Sequence, residues 1–216
     1  MTHRETSVKI PVGNVVVEGN LNIPLGAKGI VLFAHGSGSS RFSTRNQYVA
    51  NEFNKSKIGT LLFDLLTSEE EEKDTFTGEY RFDIDLLAER LIGATEHLRK
   101  DKQTKDYAFG YFGASTGAAA ALIGAAKLPN DISAVVSRGG RPDLALEYLR
   151  QVAAPTLLLV GGLDTEVIEL NRQAMAQMTA EKKLVIIPGA THLFEEPGKL
   201  AEVARASKDW FLKYLS

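Results

Sequence analysis

Short, mostly apolar runs alternate along this chain with longer segments whose apolar residues have helical spacing. The runs, which we predict to be strands, are Gly29–Ala34, Gly59–Phe63, Tyr107–Phe112, Ile132–Val136, Pro155–Val160 and Leu184–Ile187. The segments predicted to be helices are Gln47–Lys55, Ile84–Arg99, Gly117–Leu128, Leu144–Val152, Glu166–Met178 and Ala201–Leu215. A continuous apolar run suits a strand buried on both faces, and strands that alternate with helices form mostly parallel sheets. The pattern therefore predicts an α/β fold with helices on both faces of the sheet.

Two regions depart from this alternation. Val15–Glu18 and Leu21–Ile23 are predicted strands with no helix between them, so we expect them to form an antiparallel edge. The acidic run Glu69–Asp74 lies between a strand and a helix, and we expect it to be an exposed loop. The 216 residues suit one domain, 1–216, with a single large core.

The composition argues against several classes of function. The net charge is −2, whereas nucleic acids and anionic membranes call for a basic patch. The chain has no cysteine, which excludes disulfides and thiolate chemistry, and its four histidines lack metal-site spacing. Met1–Glu5 is polar and does not resemble a signal peptide. We expect a cytoplasmic protein with no metal, cofactor, nucleic acid or membrane partner. A homodimer is a common arrangement among soluble proteins, and the sequence leaves the oligomeric state open.

The strongest chemical signal is Gly113-Ala114-Ser115-Thr116-Gly117, which joins a predicted strand to an Ala-rich helix. A G-x-S-x-G turn between strand and helix holds a serine hydroxyl at the tip of a sharp bend. The helix N-terminus then directs free N–H groups at the site. We predict that Ser115 is a nucleophile. The alternatives are a chance match in a Gly-rich chain and a serine that merely caps the helix.

A serine nucleophile needs a general base, and the base needs an acid to orient it. His192 follows the strand Leu184–Ile187, and Asp164 follows the strand Pro155–Val160. Because reactive groups gather at the carboxyl ends of parallel strands, both residues are expected to lie near Ser115. Asp64 and Asp143 are the rival acids, and we expect Asp64 to make a structural hydrogen bond instead.

A small, Gly-rich turn, His35-Gly36-Ser37-Gly38-Ser39-Ser40, follows the strand Gly29–Ala34. In serine hydrolases, one oxyanion-hole N–H comes from this loop and the other from the residue after the nucleophile. The corresponding residues are Ser37 and Thr116. His35 is expected to be buried and structural. The turn lacks the Lys-Ser/Thr of a P-loop and the third glycine of a dinucleotide fingerprint, which argues against phosphate binding by this loop.

Two arginines follow the strand Ile132–Val136, at the same edge as the candidate triad. Arg138 or Arg141 could bind an acidic substrate through bidentate hydrogen bonds. The alternative, which we favour, is a structural ion pair with a carboxylate such as Asp83 or Asp143.

The motifs HGSG, GASTG, GGLD and GATHLF, in this order, resemble the α/β-hydrolase superfamily across nearly the whole chain. Within it, the chain resembles the compact dienelactone hydrolase-like group. The segments LLFDLLTSEEEE, FDIDLLAERL and VVSRGGRPDLA are similar to a branch of bacterial and archaeal hydrolases, some of them joined to phosphoribosyltransferase domains. The resemblance implies an eight-stranded, mainly parallel sheet with strand 2 antiparallel, and a triad of Ser115, Asp164 and His192. Many members of the superfamily carry a cap after the sixth strand, but here only Ser137–Pro142 and one short helix separate that strand from the next, so we expect no cap domain.

The chain departs from the family pattern at the nucleophile. Dienelactone hydrolases proper have a cysteine where this chain has Ser115, which favours a general carboxylesterase over a lactone hydrolase. The expected function is hydrolysis of small carboxylic esters through an acyl-enzyme, without cofactor. Lactone or thioester hydrolysis and acyl transfer would use the same residues. A non-catalytic ligand-binding protein of this fold is the alternative from another class.

Overall fold

The computed structural model describes residues 5–215; Met1–Arg4, which hold most of the polar N-terminal segment, and Ser216 lie outside the described residues. The strands are β1 (Thr6–Val12), β2 (Val15–Asn22), β3 (Gly29–Ala34), β4 (Gly59–Phe63), β5 (Ala108–Ala114), β6 (Ile132–Arg138), β7 (Thr156–Gly161) and β8 (Lys182–Ile187). The α-helices are α1 (Thr44–Lys55), α2 (Ser68–Thr77), α3 (Ile84–Lys100), α4 (Thr116–Lys127), α5 (Thr165–Gln177) and α6 (Lys199–Tyr214).

The eight strands form one sheet in the order β1-β2-β4-β3-β5-β6-β7-β8. β2 runs antiparallel to both of its neighbours, β1 and β4. The other six strands, β3 to β8, all pair in parallel with one another. This topology confirms the predicted α/β class and the antiparallel second strand. The carboxyl ends of β3, β5, β6, β7 and β8 consequently meet at one edge, where the candidate site residues follow them.

Both faces of the sheet are covered, as the apolar runs predict. Side chains alternate between faces along a strand, so in β3 Ile30 and Leu32 face a core with α3 and α4. Val31 and Phe33 face a second core with α1 and α6. The Phe33 and Phe112 rings lie 4.8 Å apart between centroids in that second core. Helices on both faces therefore fix the central strands, and with them the loops at their carboxyl ends.

The antiparallel edge differs from the prediction in its strands. β1 was not predicted, and the two predicted pieces Val15–Glu18 and Leu21–Ile23 are one strand, β2. The sequence Gly19-Asn20 suggests that the strand is interrupted, but Gly19 is needed because the backbone of β2 lies close to β4 at this position. A Cβ at Gly19 would lie 2.8 Å from the Cβ of Phe63, so glycine keeps the strands in register.

The prediction of a loop at Glu69–Asp74 is wrong, because these residues form most of α2. The Thr67 side chain accepts a hydrogen bond from the Glu70 N–H, and the Glu70 carboxylate accepts one from the Thr67 N–H. This capping box satisfies two N–H groups that a helix start leaves free. Acidic side chains in the first turn also suit the positive end of the helix dipole. Gly78 ends the helix in the left-handed conformation.

The helix predicted at Leu144–Val152 is two short 3₁₀ turns, Pro142–Ala145 and Leu149–Gln151. Buried Ala145, Leu149 and Val152 produce the helical spacing. The backbone hydrogen bonds, however, run from residue i to residue i−3, as from the Tyr148 N–H to the Ala145 carbonyl, and not to residue i−4 as in an α-helix. The connection between β6 and β7 is thus too short and tightly wound to form a cap over the sheet edge.

Candidate active site

Ser115 lies at the bend between β5 and α4 with a strained backbone. Its φ of 52° and ψ of −121° are unusual for a residue with a side chain, and such strain is concentrated at functional sites. Ser115 is in the N-cap position of α4, but its side chain makes no capping hydrogen bond. The alternative of a simple helix cap is therefore wrong, and the hydroxyl is left for another role.

The two glycines of the turn are required by packing. A Cβ at Gly113 would lie 2.6 Å from the carbonyl oxygen of Gly117. A Cβ at Gly117 would lie 2.5 Å from the carbonyl oxygen of His35, and closer still to that of Ala34. The start of α4 thus rests directly on the end of β3, which brings the nucleophile turn against the turn that begins at His35.

His192 and Asp164 are in direct contact across the loops that follow β8 and β7. The His192 Nδ1 and Asp164 Oδ2 atoms lie 2.6 Å apart. The Leu163 N–H donates to the Ala190 carbonyl at 2.9 Å and holds the two loops together. Asp164 is the more buried partner, with its side chain 16% exposed against 38% for His192. This contact fixes the imidazole ring with its other nitrogen, Nε2, free for proton transfer.

Ser115 and His192 line the same cavity, whose volume is about 210 Å³. Within residues 5–215, no hydrogen bond joins the Ser115 hydroxyl to the His192 ring. Such bonds are often long in structures without substrate and shorten in the substrate complex. The two side chains therefore share an opening to solvent without being locked together.

Asp64, one of the two rival acids, is bound to Arg41. It accepts a hydrogen bond from the Arg41 N–H and forms an ion pair with the Arg41 guanidinium, as a structural role predicts.

His35 is also structural, as expected. It is buried and hydrogen-bonded on both ring nitrogens, with the Leu65 N–H donating to Nε2 at 3.0 Å. Burial lowers the pKa of His35 below its usual range, which keeps the ring neutral.

Ser37 and Thr116, the two residues predicted for the oxyanion hole, are in direct contact. The contact is made by the Thr116 hydroxyl, which was not predicted from the sequence. The Ser37 N–H donates to the Thr116 Oγ1 at 3.0 Å, and the two hydroxyl oxygens lie 3.1 Å apart. Thr116 is the first residue of α4, where N–H groups have no partner within the helix. The Thr116 hydroxyl thus occupies the Ser37 N–H in this structure.

The two candidate substrate arginines differ in their surroundings. Arg141 donates to both carboxylate oxygens of Asp143, at 2.9 and 2.7 Å, which confirms the structural ion pair expected there. Arg138 lines the cavity beside Ser115 and makes no such pair with any carboxylate in the described part of the chain. The sequence also missed Arg45 and Asn46, which line the same cavity from the first turn of α1. The predicted helix began at Gln47, so these two residues were placed in a loop.

A second cavity of about 270 Å³ also borders the Ser37 turn. Both cavities touch Gly36, Ser37 and Ser39. Residues of α2 form one wall of the second cavity, and Leu66 and Leu87 supply apolar surface. A substrate bound at the Ser37 turn would therefore have access to both cavities.

Two observations concern residues 5–215 only. No group of three or more His, Asp or Glu side chains is placed to hold a metal ion. None of the helices has both the length and the apolar character needed to cross a membrane.

Comparison with known proteins gives consistent family and fold matches. A family model described as the dienelactone hydrolase family matches residues 55–216. The crystal structure of a dienelactone hydrolase from Anabaena variabilis is 56% identical, covers both chains completely and superposes with a TM-score of 0.99. A Pyrococcus furiosus esterase is 18% identical with a TM-score of 0.78, covering 99% of this chain and 92% of its own, which shows a shared fold.

Two curated proteins from Mycobacterium tuberculosis are 52% identical over 212 residues, and their names describe a phosphoribosyl transferase. The match covers 98% of this chain and 47% of each relative. The chain thus spans about half the length of the curated relatives it matches.

Proposed function

Because this chain belongs to the dienelactone hydrolase family, we propose that it cleaves small carboxylic esters with Ser115 as the nucleophile. The observation that supports this most directly is the 2.6 Å contact between His192 and Asp164. It lies at the mouth of the cavity that also holds the strained, uncapped Ser115. A nucleophile, a base and an orienting acid on three strand ends match the requirements of acyl transfer.

In the proposed reaction, the Ser115 Oγ attacks the ester carbonyl carbon while its proton passes to the Nε2 of His192. The carboxylate of Asp164 stabilises the imidazolium that forms and holds the ring in the correct tautomer. His192 then gives the proton to the departing alkoxide, which leaves an acyl group on Ser115. Water, deprotonated by the same ring, attacks the acyl carbon. The bond between this carbon and the Ser115 Oγ then breaks, the ring returns its proton to the Oγ, and the acid is released.

The negative charge of each tetrahedral state needs fixed donors. We propose the N–H groups of Thr116 and Ser37 for this role. Because the Ser37 N–H already donates to the Thr116 hydroxyl, that hydroxyl has to share or release it when the oxyanion forms. A stronger, charged acceptor favours this exchange. Loss of one such donor typically costs about 3 kcal/mol of barrier.

Other reactions of the same residues remain within this proposal. A lactone, a thioester or an acyl acceptor other than water would be handled by the same acyl-enzyme. Ligand binding without catalysis is the alternative from another class, and it gives no reason for the His192–Asp164 contact beside Ser115. The transferase name of the tuberculosis relatives is given to chains of about twice this length.

The test is covalent labelling followed by turnover. A fluorophosphonate probe should label the wild-type protein, and Ser115→Ala should abolish labelling. Ser133→Ala is the control, because Ser133 lies near the opposite end of β6 and its loss should leave labelling intact. Hydrolysis of p-nitrophenyl esters from acetate to octanoate should be lost in Ser115→Ala alone. A folded protein that is neither labelled nor active would support the ligand-binding alternative.

A further inference from the structure

The cavity beside Ser115 is lined by a buried cation that has no counterion within residues 5–215. Arg138 ends β6 and is 7% exposed. Within residues 5–215, its Nε and Nη1 atoms are buried and have no hydrogen-bond partner. Charged side chains are rarely buried unless they are paired. An unpaired guanidinium that lines a cavity therefore indicates a missing anionic partner.

Arg45 and Asn46, in the first turn of α1, add further unsatisfied groups to the same cavity. The Arg45 Nη1 donates to Glu195 at 2.6 Å, but its buried Nε has no partner in the described part of the chain. The buried side-chain oxygen of Asn46 is unsatisfied in the same region. An amide can present either its oxygen or its NH₂, so Asn46 can donate to an anion.

The charge on Arg138 persists despite this environment. Burial and, after it, the charge of Arg45 lower the pKa of Arg138 to about 10, so the guanidinium remains protonated near neutral pH. Arg45 shares its charge with Glu195, whereas Arg138 has no carboxylate partner. The cavity is therefore positive where it meets the nucleophile.

We propose that this cavity is a subsite for a phosphate or phosphonate group carried by the ester substrate. This inference rests on the proposed function, since it assigns the substrate class of the same site. The donors come from a strand end and from the first turn of a helix, two separate elements. A tetrahedral phosphate offers three acceptor oxygens in different directions, and helix N-termini favour such groups. A planar carboxylate matches donors on two walls less well.

The second cavity is unsuited to an anion. Its charged lining residues are Asp64, Glu71 and Asp74 against the cation Arg81, which is paired with Asp74, and Leu66 and Leu87 add apolar surface. An anionic substrate group is therefore directed to the cavity lined by Arg138, and the uncharged part of the ester to the cavity lined by α2. The different charges of the two cavities thus orient the substrate at the Ser37 turn.

Binding can be tested without turnover. Inorganic phosphate titrated into the Ser115→Ala protein by calorimetry should bind, and the additional change Arg138→Met should weaken binding about 10- to 100-fold. Arg141→Gln is the matched control, since Arg141 is paired with Asp143, and it should bind phosphate as before. Phosphate binding that is absent, or equally strong after Arg138→Met, would overturn the subsite.

Turnover tests the substrate class. We would compare p-nitrophenyl esters of pentanoic acid, glutaric acid and 4-phosphonobutanoic acid. The phosphonate ester should have the highest kcat/KM, and its advantage over the pentanoate ester should disappear in Arg138→Met but not in Arg141→Gln. A preference for the glutarate ester would overturn the phosphate assignment, and a preference for pentanoate would overturn the subsite. Phosphate binding without cleavage of any ester would contradict the proposed function alone.

Stability distinguishes a binding role from a structural one. Replacing an unpaired buried charge with an apolar side chain of similar length should raise Tm in phosphate-free buffer. Added phosphate should raise the Tm of the wild type and not that of Arg138→Met. A structural arginine would give the opposite result, a lower Tm for Arg138→Met with no phosphate effect in either protein.

Discussion

The contact between Asp164 and His192 gives the sharpest quantitative prediction. Asp164→Asn keeps the shape of the side chain and removes its charge. The atoms are 2.6 Å apart, which puts the charge centres about 4 Å apart, worth ~4 kcal/mol at an effective dielectric constant near 20. Because the His192 side chain is 38% exposed, solvent reduces this to about 2–4 kcal/mol. We expect kcat to fall about 30- to 1,000-fold, with KM little changed.

The assay is steady-state hydrolysis of p-nitrophenyl acetate, with Tm measured on each variant. Asp143→Asn is the matched control, since Asp143 is the other rival acid, is buried to a similar degree and pairs with Arg141. This control should leave kcat within about threefold of the wild type, because Asp143 lines neither cavity at the site, and should change Tm little, because a partly exposed pair contributes little to stability. If Asp164→Asn retained its kcat, or if both variants lost activity equally, the assignment of Asp164 as the orienting acid would be refuted.

Three further predictions concern stability. Thr67→Ala removes the capping box with Glu70 and should lower the stability by about 1 kcal/mol, or the Tm by about 2–4 °C, without affecting kcat; an unchanged Tm would mean that α2 does not depend on its cap. Burial lowers the pKa of His35 from 6.5, so the unfolded chain takes up the proton first, and stability present above about pH 6.5 is lost as the pH falls. His35→Gln should therefore show a flatter decline of Tm between about pH 7 and pH 5 than the wild type, and equal slopes would exclude His35 as the source. Gly117→Ala places a methyl group against the Ala34 carbonyl and should abolish soluble expression or activity, whereas an active, stable variant would contradict the packing argument.

The parts of the fold that the sequence predicted best are those fixed by the hydrophobic effect alone. The bounds of β3 and β4 were predicted to the residue, because a strand covered on both faces is apolar at nearly every position; buried Thr60 in β4 is the exception. The turn at Ser115 was also recognisable, since its two flanking glycines are demanded by close backbone contacts. In each case the residues that determine the structure are adjacent in sequence, so the structure could be predicted from a short segment.

The parts that were missed depend on polar contacts between separate elements. Asp74 is the buried residue of α2, which is joined to α3 by an ion pair between Glu70 and Arg90. A helix of this kind has no apolar stripe to reveal it. Arg45 and Asn46 reach the candidate site only because α1 begins before its first apolar residue, capped by Ser43.

The position of β8 at the end of the sheet order bears on how this protein would lose activity on heating. Most of its residues are exposed or half-buried, whereas β5, which leads to Ser115, is a central and buried strand. Edge elements open with a lower free energy than the core. Displacement of His192 would then separate base from nucleophile while most of the sheet is intact. Thermal inactivation should therefore begin several degrees below the spectroscopic melting transition, and cross-linking β8 to β7 would protect activity more than it raises Tm.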